Sequence, residues 1–353
     1  MKQFKRVIAL VIAAVMVMSF ASCSMVDDGD TDITRDNIRI GLILSGTKDT
    51  ATGYTGYAMS AINELLNLGY GIGSERFNYT VENVNPDDAD AVSAALTEIV
   101  NKECNLVIAT EAGYLDDIQK ISGGDNEDIK FFVCDADNDG KNIYGYKADM
   151  TAAMYFTGMV AAMKATALEN PKLGFIAQSE DGTLVNAFAM GAKAANSAAT
   201  VSVLYSADAA AAADKLIKEG CVVLASDYED EAVAKAAADA KIFFCGFGTE
   251  TYANATNEET GDKLYASAFL CAPLYNYTQL YIDAIKAVVD DKEPAPFEGG
   301  FIEGITYLSD LNDATVAEGT QEALNAAIAS LEKGDLKMDA DALAAVDNLT
   351  VVK

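Results

Sequence analysis

The sequence contains no histidine, and this absence removes several kinds of chemistry at once. Imidazole is the commonest general base near neutral pH, a frequent zinc ligand and a member of the Ser-His-Asp triad. A Gly-rich phosphate loop and a nucleophile elbow are also missing from the sequence. The sequence therefore predicts a binding protein rather than an enzyme, with no catalytic residue, no resident metal and no cofactor.

Basic residues are scarce. Lys and Arg together number 25 against 54 Asp and Glu, which gives a formal net charge of −29 at pH 7. A surface this acidic repels the phosphates of nucleic acids and anionic lipid headgroups. Neither is expected as a partner of the folded body.

Cysteine is also uncommon, and its spacing follows no metal-binding pattern. Five cysteines come after Cys23, without a C-x-x-C pair, and an odd number argues against a complete disulfide framework. Cys134, Cys221 and Cys245 lie in apolar runs typical of strands, where a free thiol packs as a small hydrophobe. Buried structural thiols are predicted, with one pair or a reactive site as the alternative.

The first residues have the pattern of an export signal. Three basic residues within the first six positions precede an apolar stretch at residues 7–20, the length of a signal-peptide core. Residues 20–23, Phe-Ala-Ser-Cys, resemble the lipobox of bacterial lipoprotein signals, although the first position is usually Leu. The resemblance implies cleavage before Cys23 and lipidation of that residue; ordinary cleavage and an uncleaved anchor are the alternatives.

Residues 1–22 are accordingly predicted to be a lipoprotein signal peptide. Residues 23–37, rich in Asp and Thr, are predicted to be a flexible tether. The expected location is the cell membrane, with the protein lipid-anchored on the extracytoplasmic face.

Beyond residue 38, short apolar runs alternate with helical patterns. Strands are predicted at residues 38–44, 79–84, 106–109 and 130–134, and helices at residues 54–68, 87–102 and 114–121. A second series follows, with strands at residues 172–177, 200–205, 222–225 and 242–246 and helices at residues 150–167, 184–198, 207–219 and 231–240. The pattern predicts an α/β fold of two Rossmann-like parallel-sheet lobes, with any ligand at the carboxyl ends of the strands.

The order of these segments resembles the basic membrane protein (BMP) family of ABC-transporter substrate-binding lipoproteins, whose best-described members bind purine nucleosides. The segments that carry the resemblance are residues 40–47, 144–149, 158–162, 172–176, 186–194, 281–285 and 297–300. The resemblance implies a type I periplasmic-binding fold whose lobes close on a ligand by a hinge motion. It implies a small-molecule ligand that is nucleoside-like in class, and an ABC permease as partner.

Mapped onto this chain, the family architecture divides the body into two lobes. The first lobe is expected to hold residues 38–146 plus 270–292, and the second to hold residues 148–268 plus 293–353. Each lobe is therefore assembled from separated parts of the sequence.

The resemblance also implies a set of ligand-binding residues. Tyr54 falls where the family has an aromatic residue that stacks on the base, and Ser45 and Thr55 fall where nucleoside-binding members have Asp and Asn. In the second lobe, Asp227 and Tyr228 follow a strand end.

The loop in which the family has an Asp that holds the ribose hydroxyls differs here. It contains Phe247, Gly248 and Glu250, of which Phe247 is expected to stack and Glu250 to accept from hydroxyl groups. These departures leave two alternatives open: a sugar or other non-nucleoside ligand, and a surface receptor or sensory lipoprotein of the same fold without a transporter.

Residues 135–140 match the first half of a calcium-binding loop. The bidentate Glu of the twelfth position is absent, because that position is Tyr146. A solvated turn is the favoured interpretation of the segment, ahead of a contribution to the rim of the cleft and a calcium site.

Overall fold

The computed structural model describes residues 38–67, 79–137, 141–257 and 259–352. The predicted signal peptide, the tether and Cys23 lie outside the described residues, as do positions 138–140 of the calcium-like loop. Within the described ranges, no helix is long and apolar enough to cross a membrane. The same ranges contain no group of three or more Cys, Asp or Glu side chains placed to hold a metal ion.

The first lobe is built on a six-stranded parallel sheet. Its elements in chain order are β1 (Ile40–Ile43), α1 (Gly53–Asn67), β2 (Tyr79–Val81), α2 (Ala89–Asn101), β3 (Leu106–Ala109), α3 (Leu115–Ile121), β4 (Lys130–Cys134) and β5 (Ile143–Ala148). Every residue of β1 and of β3 is buried, because helices cover both faces of the sheet. The parallel α/β architecture predicted from the sequence is confirmed.

The second lobe repeats the pattern around a five-stranded parallel sheet. Its elements are α4 (Thr151–Ala167), β6 (Lys172–Ala177), α5 (Thr183–Ala195), β7 (Thr200–Tyr205), α6 (Ala209–Lys218), β8 (Val223–Ser226), α7 (Glu231–Ala240), β9 (Phe243–Phe244) and α8 (Thr251–Asn254). Asp208 and Asp230 cap the N-termini of α6 and α7 by accepting hydrogen bonds from backbone N–H groups of the first turn.

The remaining chain passes between the lobes. It forms β10 (Pro273–Tyr275), α9 (Thr278–Val289), β11 (Phe297–Gly299), β12 (Thr306–Leu308), α10 (Thr320–Glu332), α11 (Ala340–Ala344) and β13 (Leu349–Val351). The sheet orders are β11-β5-β4-β3-β1-β2 and β13-β7-β6-β8-β9, and β10 pairs with β12 in a separate antiparallel ribbon. Helix α9 packs on the core of the first lobe through Tyr281 and Ile285.

Two boundaries expected from the sequence differ from the structure. The sequence predicts residues 293–353 in the second lobe, but β11 pairs in parallel with β5 and so belongs to the sheet of the first lobe. The sequence predicts residues 270–292 in the first lobe, but Leu270 and Cys271 lie in the core of the second. The reason is that short segments at a crossover carry too few residues for their apolar pattern to indicate which sheet they join.

Helices α4 and α5 pack together at two glycines. A Cβ atom on Gly158 would clash with the carbonyl oxygen of Phe188, and a Cβ atom on Gly191 would clash with the carbonyl oxygen of Tyr155. The two backbones therefore touch directly. This packing fixes α5, whose first turn faces the space between the lobes.

All five described cysteines are unpaired and buried, which confirms the prediction of buried thiols. Burial raises the pKa of Cys104 and of Cys221 to about 11, so both thiols stay protonated at neutral pH. The Sγ atoms of Cys245 and Cys271 lie 3.9 Å apart in the core of the second lobe.

Candidate ligand-binding cleft

A cavity of about 530 Å³ lies between the two lobes, at the carboxyl ends of the parallel strands. It is lined by Gly53, Tyr54 and Tyr57 of α1, by residues 178, 179 and 181–185 after β6, by residues 227–229 after β8, and by Phe247 and Tyr275. Apart from Tyr275, which ends β10, each segment follows a strand of one of the two parallel sheets, and this is where open α/β sheets hold their ligands. The cavity falls within the 300–1,000 Å³ range typical of small-molecule sites.

The first lobe contributes Tyr54 to this cavity. The side chain is 38% exposed, and its hydroxyl donates a 2.5 Å hydrogen bond to Oδ2 of Asp135. Burial of the hydroxyl, followed by the neighbouring Asp135 carboxylate, raises the pKa of Tyr54 well above its ordinary value. The ring is thus held by its hydroxyl while the side chain remains accessible from the cleft.

A row of aromatic rings runs from the cavity into the crossover. The ring of Tyr275 lies 4.5 Å from that of Tyr57 and 5.7 Å from that of Tyr277, between centroids. Phe247 meets Tyr275 edge-on, with 6.2 Å between the centroids. Rings packed in this way form a stiff wall and offer apolar surface to a ligand.

Carboxylates of the second lobe form the polar part of the lining. Oδ1 of Asp227 accepts a 2.9 Å hydrogen bond from the backbone N–H of Gln178, and burial raises the pKa of Asp227. Oδ1 of Asp181 accepts from both the backbone N–H and the hydroxyl of Thr183. The hydroxyl of Tyr228 donates to the carbonyl of Ser206 at 2.8 Å, so this side chain offers the cleft its ring rather than its hydroxyl proton.

Glu229 reaches across the cleft to the first lobe. Its Oε2 accepts a 2.9 Å hydrogen bond from the backbone N–H of Gly53, and its Oε1 accepts from the hydroxyl of Tyr57. Burial is the main reason that the pKa of Glu229 is raised. Sequence reasoning did not single out this residue.

Four of the eight predicted ligand-binding residues line the cavity: Tyr54, Asp227, Tyr228 and Phe247. Ser45 and Thr55 instead hydrogen-bond each other at 3.1 Å, with Thr55 only 2% exposed. Gly248 packs behind the lining, against the Tyr57–Glu229 contact.

Glu250 precedes α8 and lies close enough to Tyr307 to raise the pKa of that residue, after burial. It is not among the residues that line the cavity. Ser45, Thr55 and Glu250 are therefore absent from the cavity lining, and the ligand contacts expected for them stay predictions.

The charged residues that line the cavity are all acidic. They are Asp181, Asp227 and Glu229, and among the described residues neither Lys nor Arg contributes to the lining. A negatively charged ligand would meet these carboxylates without a compensating cation. The cavity therefore favours neutral or cationic molecules.

Two parallel-sheet lobes around a polar and aromatic cleft define the type I periplasmic-binding fold, and comparisons with solved structures agree. An ABC transporter solute-binding protein from Conexibacter woesei has a TM-score of 0.66 and 16% identity, over 85% of this chain and 98% of that one. A solute-binding protein from Aeropyrum pernix has a TM-score of 0.65 and 14% identity, over 87% and 95% of the two chains. At this identity the likeness establishes the fold alone.

The sequence gives the family. Residues 67–261, more than half of the chain, match the Bmp family, described as ABC transporter substrate-binding protein PnrA-like, and the chain belongs to it. The resemblance identified from the sequence is thereby confirmed.

A curated relative is the putative ABC transporter glucose-binding protein TsgA13 of Haloferax volcanii, 26% identical over 239 residues. That match covers 65% of this chain and 57% of the relative's length. The family and the fold are those of solute-binding proteins.

Proposed function

We propose that this chain is the extracytoplasmic substrate-binding lipoprotein of an ABC importer and captures a nucleoside-like molecule between its lobes. The observation that carries the proposal is the interlobe cavity of about 530 Å³, lined by aromatic rings and carboxylates at the ends of the parallel strands. Membership of the Bmp family supports the transport role.

The lining suits a ligand that has both a flat ring and hydroxyl groups. Tyr54 and Phe247 provide rings on opposite lobes, and aromatic surfaces of this kind bind planar groups by stacking. The carboxylates of Asp181 and Asp227 accept hydrogen bonds from hydroxyls. A nucleoside combines these features and carries no phosphate.

Titration calorimetry with adenosine, guanosine and inosine, each paired with its 5′-monophosphate, tests this proposal. We expect at least one nucleoside to bind and its monophosphate to bind at least tenfold more weakly. The reason is that the phosphate brings a charge of about −1.5 to −2 toward three carboxylates. Equal or tighter binding of the monophosphate would contradict the charge argument.

A sugar is the second candidate, and the name of the Haloferax volcanii relative favours it. Aromatic rings and carboxylates also suit the faces and hydroxyls of a pyranose. Glucose and galactose belong in the same titration, and binding of either without any nucleoside would replace the nucleoside proposal with this one.

The lipid anchor is a separate part of the proposal and depends on Cys23. Wild-type protein expressed with its own signal is expected to partition with membranes and into detergent, whereas Cys23→Ala is expected in the aqueous fraction. Ser24→Ala, which changes the next position, is the matched control and should partition like wild type. Equal partitioning of Cys23→Ala and wild type would remove the lipoprotein assignment.

A further inference from the structure

The contact between Glu229 and α1 joins the two lobes directly. Each carboxylate oxygen accepts from a different group of α1: Oε2 from the N–H of Gly53 at 2.9 Å, and Oε1 from the hydroxyl of Tyr57. Glu229 follows β8 of the second lobe, whereas both donors lie in the first turns of α1 in the first lobe. These bonds can therefore form only while the lobes are closed.

The backbone N–H of Gly53 lies where a helix does not supply its own hydrogen-bond acceptor. N–H groups in the first turn of a helix have no acceptor within the helix, and the positive end of the helix dipole lies at the same place. A carboxylate supplies both an acceptor and the complementary charge. Without Glu229, the Gly53 N–H would be left to water.

The loop after β9 packs against the contact between Glu229 and Tyr57. Gly248, in the loop after β9, has φ +67°, and a Cβ atom at this position would clash with Oη of Tyr57 and with Oε1 of Glu229. Its backbone N–H donates a 2.8 Å hydrogen bond to the carbonyl of Pro273 in the crossover, which holds the loop in place. The absence of a side chain at position 248 is what lets Tyr57 and Glu229 meet.

We propose that Glu229, Tyr57, the Gly53 amide and Gly248 form an interlobe latch that holds the closed state, and that Glu229 is its positioning residue. The role of the latch in ligand capture rests on the proposed function, since it assumes that binding occurs by closure. Existence of the latch does not depend on the ligand, because each of its bonds joins protein groups to one another.

The latch acts on affinity through the population of the closed state. A variant that favours the open state lowers the apparent affinity by the factor by which the closed population falls. Hydrogen bonds to a charged group are strong enough for their loss to change that population about tenfold. Tyr57 and Glu229 also line the cavity, so affinity alone would not separate latching from direct contact with the ligand.

Exchange of the Gly53 amide with deuterium, measured by NMR without ligand, gives that separation. We expect this amide to be protected in the wild-type protein and to exchange about tenfold faster in Glu229→Ala, while amides of β1 keep their protection. Equal exchange at Gly53 in the two proteins would overturn the latch. If the exchange rate of the Gly53 amide depends on Glu229 but the protein binds no nucleoside, the latch would be supported and the proposed ligand would be wrong.

Gly248→Ala tests the latch without altering a residue of the cavity lining. The added methyl should push Tyr57 and Glu229 apart. We expect it to speed exchange of the Gly53 amide about tenfold in the ligand-free protein, and to weaken binding of the nucleoside that the titration identifies. Gly261→Ala is the matched control, because Gly261 has a similar φ of +73° with no atom near the added Cβ. Binding by Gly248→Ala equal to that by Gly261→Ala would overturn the role of the latch in capture.

The double variant Gly248→Ala/Tyr57→Phe completes the test. Removal of the hydroxyl relieves part of the clash in Gly248→Ala, so the effects of the two substitutions on Gly53 exchange should be clearly less than additive. Simple additivity would show that the two residues act separately and would overturn the proposed arrangement.

Discussion

Tyr54→Ala is expected to weaken ligand binding ten- to hundredfold and to leave the melting temperature of the ligand-free protein nearly unchanged. The side chain is 38% exposed and lines the cavity, so its truncation removes ligand contact more than core packing. Ring stacking and the apolar area buried with it are together worth about 1 to 3 kcal/mol, which corresponds to that loss of affinity. Calorimetry and a thermal melt on the same protein measure both effects.

Tyr54→Phe is the matched control for this prediction. It keeps the ring and removes the hydrogen bond to Asp135, so affinity should stay within about threefold of wild type. If Tyr54→Ala binds like wild type, or lowers the melting temperature strongly, Tyr54 is a packing residue. The stacking role implied by the family resemblance would then be wrong for this chain.

Gly191→Ala is expected to lower the free energy of unfolding by about 1 to 3 kcal/mol, because overpacking of a close helix contact forces the backbones to move. The added methyl would clash with the carbonyl oxygen of Tyr155, which is main chain and cannot rotate away. Denaturant unfolding followed by circular dichroism measures the change.

Gly123→Ala provides the comparison for Gly191→Ala. Gly123 has an ordinary φ of −99° and no atom near an added Cβ, so stability should not fall. If Gly191→Ala unfolded at the same denaturant concentration as Gly123→Ala, the contact between α4 and α5 would be looser than the structure indicates.

Strong periodic patterns explain why much of the fold could be predicted. The bounds that the sequence predicts for residues 106–109 and 231–240 are those of β3 and α7 in the structure, because buried apolar runs and capped helices have clear local signals. The strands that the sequence did not predict are mostly short. Three of them, β10, β12 and β13, have three residues each, which is too few to show an alternation of apolar and polar residues. Their positions depend on pairing with distant strands rather than on local sequence.

The candidate site, like the fold, could be predicted from the sequence only in part. Tyr54 could be placed through the family resemblance, and Asp227 because it follows a strand end, where ligand-binding residues of such folds collect. Tyr57 was missed although it lies one helical turn after Tyr54, a spacing that puts both on one face of α1. Glu229 could not be found in this way, because its partner Tyr57 is 172 positions away in the other lobe.

The strand order also sets a sequence of events during synthesis of the chain. The sheet of the first lobe gains its edge strand only with β11, and the sheet of the second lobe gains its own only with β13, at Leu349–Val351. A ribosome must therefore finish nearly the whole polypeptide before either sheet is complete, and pairings between distant segments form slowly.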